Sequence, residues 1–149
     1  MLSFLRFWET GLVPSLFTVP PALVSAQETL RDAQHYLIVY PLWLGGMPAL
    51  LKGFFEKVLR PDFAFDASGS GAGGKLSGRS ARLLVTMGMP AAVYRWYFGA
   101  HGVKSFERNV LKFVGIKPVR TTLIGSVEGD ASRRGAWLAR VEALGRASR

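Results

Sequence analysis

Residues 36 to 55, Tyr-Leu-Ile-Val-Tyr-Pro-Leu-Trp-Leu-Gly-Gly-Met-Pro-Ala-Leu-Leu-Lys-Gly-Phe-Phe, leave the chain few ways to fold. Tyr36 to Tyr40 is a continuous apolar run too short for a helix, and it reads as a fully buried strand of a parallel sheet. Pro41 has no N–H for the ladder and ends the strand. Gly45 and Gly46 let the loop take dihedrals closed to other residues, and Pro48 suits a first helical turn. Met47, Leu50, Leu51, Phe54, Phe55, Val58 and Leu59 then recur at helical steps, with Lys52, Glu56 and Lys57 on the opposite face. Gly53 in mid-helix costs about 1 kcal/mol relative to Ala, which implies close packing against a neighbour. A strand, a loop at its carboxyl end and a helix form the ligand-binding unit of open α/β sheets.

The rest of the chain repeats this unit. Pro20 and Pro21 open a surface helix over about 21 to 33, in which Leu23, Ala26, Leu30 and Ala33 share one face. Arg60-Pro61 stops the second helix. Residues 66 to 78 are rich in Gly and Ser and read as a mobile loop. Its Gly69-Ser-Gly-Ala-Gly-Gly run is not a dinucleotide fingerprint, because no strand precedes it and no helix follows. Arg82-Leu-Leu-Val-Thr is the second strand, and Ala91 to Phe98 reads as helical. Val103, Phe106, Val110 and Val114 mark a further helix ended by Gly115. Val119 to Val127 is a third strand. Asp130 is a helix N-cap, and Trp137, Leu138, Val141 and Leu144 mark a final helix. Strands alternating with helices predict an α/β domain built on a parallel sheet, with 21–149 as the domain and 1–20 as an atypical leading segment.

Composition narrows the functions available. The 149 residues contain no cysteine and two histidines, His35 and His101, without metal-ligand spacing, so no metal centre is expected. The run from Tyr36 to Leu51 is about four residues short of a bilayer span and is broken by Pro41, so no integral membrane segment is predicted. Met1 to Ala26 has a signal-peptide outline, but Glu9 interrupts the apolar run and Pro20-Pro21 opens a helix. The lack of cysteine fits a reducing, cytoplasmic setting. Nineteen basic and ten acidic residues give a net charge of +9. Arg95, Lys104, Arg108, Lys112, Lys117 and Arg120 have one acid near them, Glu107, and Lys104, Arg108 and Lys112 stand at i, i+4, i+8 on one helix stripe. Such a stripe is either a solvated face or an attraction for anions such as a phosphorylated cofactor. No RNA motif or aromatic interleaving raises nucleic acid above a minor alternative.

Three segments carry a likeness to a known family: Tyr40 to Leu59 (YPLWLGGMPALLKGFFEKVL), Leu84 to Gly102 (LVTMGMPAAVYRWYFGAHG) and Gly115 to Gly125 (GIKPVRTTLIG). Together they resemble the flavodoxin-like NAD(P)H:quinone oxidoreductases, the DT-diaphorase and modulator-of-drug-activity group, from about Ala22 to Leu144. The resemblance implies a three-layer sandwich around a doubly wound parallel sheet, and a homodimer with flavin, FAD or FMN, at the dimer interface. It implies hydride transfer from NAD(P)H to the flavin and then to a quinone. It places Pro41, Leu42, Trp43 and Leu44 along one side of the flavin ring, and Thr86, Met87, Gly88 and Met89 in the second flavin loop. It matches Tyr94 and His101 to the tyrosine and histidine near the pyrimidine edge, where a phenol and an imidazole can stabilise or protonate developing negative charge.

Taken singly, the same residues have plainer readings: Trp43 as a core or rim aromatic, Tyr94 as packing, His101 as a polar loop residue, His35 as a structural residue at a strand entrance. Two features depart from the family pattern. Leu44 stands where related bacterial sequences carry a second tryptophan, and nothing in Met1 to Pro20 matches the family's first strand and phosphate loop. The fold expected is thus N-terminally truncated, with an open edge on strand 36–40. The expected activity is that of a quinone reductase. The alternative is a dimerising or regulatory subunit with weak flavin binding, for example of a potassium efflux system.

Overall fold

The computed structural model describes residues 20–66 and 74–147. Three parallel strands, β1 (His35–Pro41), β2 (Ser80–Thr86) and β3 (Val119–Ile124), lie in that spatial order. The register pairs Tyr36 with Ala81, Ile38 with Leu83 and Tyr40 with Val85, and Val85 in turn with Leu123, so these residues share one face. Strand alternation puts Leu37, Val39, Arg82, Leu84 and Thr122 on the other.

The first face holds the core. Helix α1 (Pro21–Asp32) and helix α2 (Ala49–Val58) pack there with α3 (His101–Ser105), which runs straight into a π-helical segment, Phe106–Leu111. Phe55, Tyr40 and Phe106 interlock, with ring centroids 4.9 Å apart for Phe55–Phe106 and 6.3 Å for Tyr40–Phe106. Helix α4 (Ala131–Arg146) crosses the second face, near Leu37, Arg82 and Leu84. Helices on both sides of the sheet make the predicted three-layer α/β sandwich. Asp130 caps α4 as expected, its carboxylate accepting from the Arg133 N–H at 2.7 Å, a contact type that stabilises a helix by about 1 kcal/mol.

Several expectations need correction. β1 is not fully buried: Leu37 and Val39 are 60% and 57% exposed. No described strand lies beyond β1, and α4, none of whose residues is fully buried, covers that face thinly. Gly53 does not accommodate a neighbour, because a Cβ built there meets nothing within 4 Å. β3 ends at Ile124 instead of Val127, since Ser126 turns the chain with φ +55°. The basic stripe on one α-helix is also revised. Two five-to-six-residue stretches, Val93–Tyr97 and Phe106–Leu111, wind as π-helix. Wider winding brings i and i+5 together, and Lys112 pairs with Glu107 at 2.7 Å across that step. The stripe of Lys104, Arg108 and Lys112 therefore drifts around the axis, although all three remain exposed. Of the Gly/Ser-rich loop, residues 67–73 lie outside the described residues, as does the atypical segment before Pro20. His35 stands at the first position of β1, its Nδ1 2.7 Å from the Ser80 hydroxyl.

Candidate active site

Parallel strands deliver their carboxyl ends to one edge of the sheet, and three loops meet there. The loop after β1 is joined to β2 where the Leu42 N–H donates to the Thr86 carbonyl at 2.7 Å. Past Leu42 the chain doubles back: Trp43 and Gly46 exchange N–H···O bonds of 2.9 Å each way. Leu44 and Gly45 between them have φ of +47° and +80°, two successive left-handed residues of the kind a type I′ turn requires. Glycine takes that conformation freely, whereas Leu44 pays about 1–2 kcal/mol for it. The turn holds Leu44 wholly in solvent and Trp43 62% exposed. The turn thus presents a backbone-strained leucine and an exposed tryptophan at the carboxyl-end edge of the sheet.

Tyr94 anchors this turn from below. Its hydroxyl donates to the Gly45 carbonyl at 3.0 Å, and its ring is 2% exposed. Burial pushes the phenol's pKa up, opposed by the backbone amides of Val103 and Gly102, which favour the phenolate. The Tyr94 oxygen thus bridges the turn and the start of α3. Gly102 completes the joint: a Cβ there would lie 2.1 Å from the Gly45 carbonyl oxygen. Only glycine lets the two segments approach so closely. Tyr40, behind Tyr94, is held neutral to about pKa 12 by burial, with the neighbouring Tyr94 phenol adding to the shift.

His101 opens α3 after Gly99 (φ +67°) and Ala100 (φ +51°). Its imidazole lies over Gly99, where a Cβ would come within 2.5 Å of Nε2, and the residue is exposed. It is therefore the first residue of a helix, not a loop residue, with its ring accessible near the Tyr94–Gly45 joint.

The loop after β2 is fixed to the loop after β3. Met87 N–H donates to Ile124 C=O at 2.9 Å, while Val127 and Ser126 N–H donate to Met87 and Met89 carbonyls at 3.2 and 3.1 Å. Met87 is buried and Gly88 exposed. A side chain at Gly88 would approach the Glu128 carboxylate at 3.6 Å. Met89 is 38% exposed. Of the ten predicted site residues, Trp43, Leu44, Gly88, Met89 and His101 present accessible surface. Pro41 is exposed at the end of β1, Leu42 and Thr86 tie the two loops together, and Met87 and Tyr94 support from within. Sequence reasoning marked Gly45 for the freedom it gives the loop but missed its close approach to Gly102. Gly102 carried a signal in flanking His101, but its partner lies 57 positions earlier, and no local pattern connects them.

Trp43, Leu44 and Met89 are exposed on these loops, apolar side chains of the kind that a flat ring such as a flavin stacks on. The phosphate arm is not matched in the same way. Among the described residues, no glycine-rich turn leads from a strand beside β1 into a helix.

The family model for the flavodoxin-like fold matches residues 15–146. The chain belongs to the flavodoxin-like family. Human ribosyldihydronicotinamide dehydrogenase [quinone] is 29% identical over 132 residues, covering 82% of this chain and 57% of the human protein. An NAD(P)H:quinone oxidoreductase structure from Methanothermobacter marburgensis superposes with TM-score 0.73 at 26% identity, over 87% of this chain and 64% of that one. General stress protein 14 from Treponema denticola, solved in complex with FMN, superposes with TM-score 0.60 at 25% identity, over 82% of this chain and 72% of that one. This flavodoxin-like chain spans about half the length of the curated relatives it matches. Among its described residues, no helix is long and apolar enough to cross a membrane.

Proposed function

We propose that the chain forms the ring-binding wall of a flavin-dependent NAD(P)H:quinone oxidoreductase. One observation carries the proposal: the Leu42–Thr86 hydrogen bond, 2.7 Å long, joins two loops at the carboxyl ends of adjacent parallel strands. Trp43, Leu44 and Met89 stand exposed on those loops. The relatives' names, two for quinone reduction and one structure holding FMN, support the same reading. The flavin, when bound, supplies hydride acceptance and donation. The chain's residues position and polarise it. Trp43, Leu44 and Met89 cover the ring, with Pro41, Leu42, Thr86, Met87 and Gly88 forming the backbone of the two loops. His101, exposed at the start of α3, donates a hydrogen bond or proton to the ring edge where negative charge develops. Tyr94 serves that edge only by turning its hydroxyl hydrogen away from the Gly45 carbonyl, so its first role is to hold the turn.

The finer reading is FMN or FAD as cofactor, NADH or NADPH as donor, and a homodimer. The groove beside the first loop, lined by Met47, Phe55, Phe65, Phe106 and Phe113, supplies apolar surface for the second copy to cover. Titration of the purified chain with FMN and FAD, followed by NADH- or NADPH-dependent reduction of menadione, tests the proposal. Saturable binding and flavin-dependent turnover are expected. Failure to bind either flavin would refute it.

A further inference from the structure

The outer edge of β3 carries a second hollow, lined also by Ala91 and Ala92 just after the second loop, that the proposed quinone-reductase chemistry does not use. This cavity of about 330 Å³ wraps around the strand edge. From the first face of the sheet come Arg95 and Trp96, on the π-helical stretch Val93–Tyr97. From the second face come Trp137 and Arg140, on α4. Thr121 and Thr122 lie between them.

Three properties make this more than a crevice. First, neither Arg95 nor Arg140 makes an ion pair among the described residues, so two guanidinium groups share one hollow without a carboxylate between them. Glu107, the acid nearest Thr121, accepts from the Thr121 hydroxyl at 3.4 Å and is neutralised by Lys112 at 2.7 Å. Second, the walls are planar. Trp96 is 79% exposed, unusual for so large an aromatic, and the Arg140 guanidinium already stacks 5.2 Å from the Trp137 ring centroid. Third, the strand edge offers backbone donors. Ala81 and Met87 N–H donate to the carbonyls of Pro118 and Ile124. Parallel pairing alternates inward and outward residues, so the N–H groups of Thr121 and Leu123 face outward.

Two unpaired guanidiniums recognise a planar anion through paired N–H···O bonds, and indole faces stack on a flat ring. We propose that this hollow binds a planar aromatic ring carrying an anionic group, a carboxylate or a phosphate, as a site that shares none of the residues of the proposed flavin wall. The ring lies between Trp96 and Trp137, and the anion meets Arg95, Arg140 and the outward N–H groups. The volume suits one or two fused rings with a short anionic arm.

The test uses the full chain without added flavin. Binding of 2-naphthoate and of adenosine monophosphate is followed by isothermal titration and tryptophan quenching, beside uncharged 2-naphthamide and ring-free acetate. Saturable binding of 2-naphthoate or of the nucleotide is expected, with affinity reduced about tenfold or more by Arg95→Gln and by Arg140→Gln. Lys104→Gln, which removes an equal charge outside the hollow, is expected to leave affinity within about twofold at moderate salt. Binding of 2-naphthoate alone assigns the carboxylate, and tighter binding of the nucleotide assigns the phosphate. Absence of binding by both, equal binding of 2-naphthamide, or equal losses in Lys104→Gln and Arg95→Gln would overturn the proposal. Each readout is independent of flavin, so these results do not depend on the fate of the quinone-reductase reading.

Discussion

Gly102→Ala tests the joint that holds the first loop in place. The added methyl would sit 2.1 Å from the Gly45 carbonyl oxygen and 3.0 Å from the Gly46 Cα. Carbon–oxygen contacts relax at about 3.3 Å, so the turn has to retreat by roughly 1 Å. Overpacking of this kind costs about 1–3 kcal/mol. The same retreat stretches the 3.0 Å Tyr94–Gly45 hydrogen bond beyond useful range, costing about 1 kcal/mol more. Gly102 has no positive φ, so alanine brings no backbone strain and the loss is steric. With a urea slope of about 2 kcal/mol/M, the unfolding midpoint falls by roughly 1–2 M. Trp43, on the displaced turn, shifts its emission in the folded state. Gly53→Ala is the internal comparison. Its Cβ meets nothing within 4 Å, so replacing glycine within α2 raises stability by about 1 kcal/mol. If Gly102→Ala unfolds at the parent's urea midpoint with unchanged emission, the clamp between the turn and α3 is not a feature of the folded protein.

Three further outcomes follow from the same geometry. Tyr94→Phe removes the donor to the Gly45 carbonyl and lowers stability by about 1 kcal/mol in urea unfolding; no loss would remove the hydroxyl from the joint. His101→Ala retains flavin binding and lowers quinone turnover by about 100-fold, read in steady-state menadione reduction, because a positioned proton donor contributes on that scale; unchanged turnover would refute its assignment. The raised phenol of Tyr40 makes stability pH-dependent in the alkaline range. The folded state holds this proton more tightly than the unfolded state, so the contribution is complete below pH 10 and is lost as pH rises towards 12. Thermal melts between pH 9 and 12 should show that decline, less steeply in Tyr40→Phe; an equal slope in both would refute the assignment.

The parts of the fold legible in sequence were those governed by local pattern. Continuous apolar β2 did become the buried middle strand, and Asp130 did cap α4. β1 carries nearly the same apolar signature, yet half of it faces solvent. Apolar content reports what a strand can bury, not whether a neighbour is there to cover it. The π-wound stretches escaped notice because a 3.6-residue period fits their apolar positions nearly as well, while their i to i+5 bonds have no sequence marker. Gly53 shows the opposite error, a real propensity cost without the tight contact inferred from it. At the site, the two loops were recognisable as contiguous motifs. The Tyr94–Gly45–Gly102 joint and the Arg95/Arg140 hollow were not, because each assembles residues far apart in the chain and only the folded sheet brings them together.

The central claim is that Trp43 and the loops after β1 and β2 form one wall of a flavin site. Titrating the purified chain with FMN and FAD, and repeating the titration with Trp43→Ala, tests it most directly. Saturable binding that perturbs the flavin's visible spectrum, quenches tryptophan emission and weakens by about tenfold in Trp43→Ala is the predicted result. Binding of neither flavin, or binding of equal strength in Trp43→Ala, would contradict it.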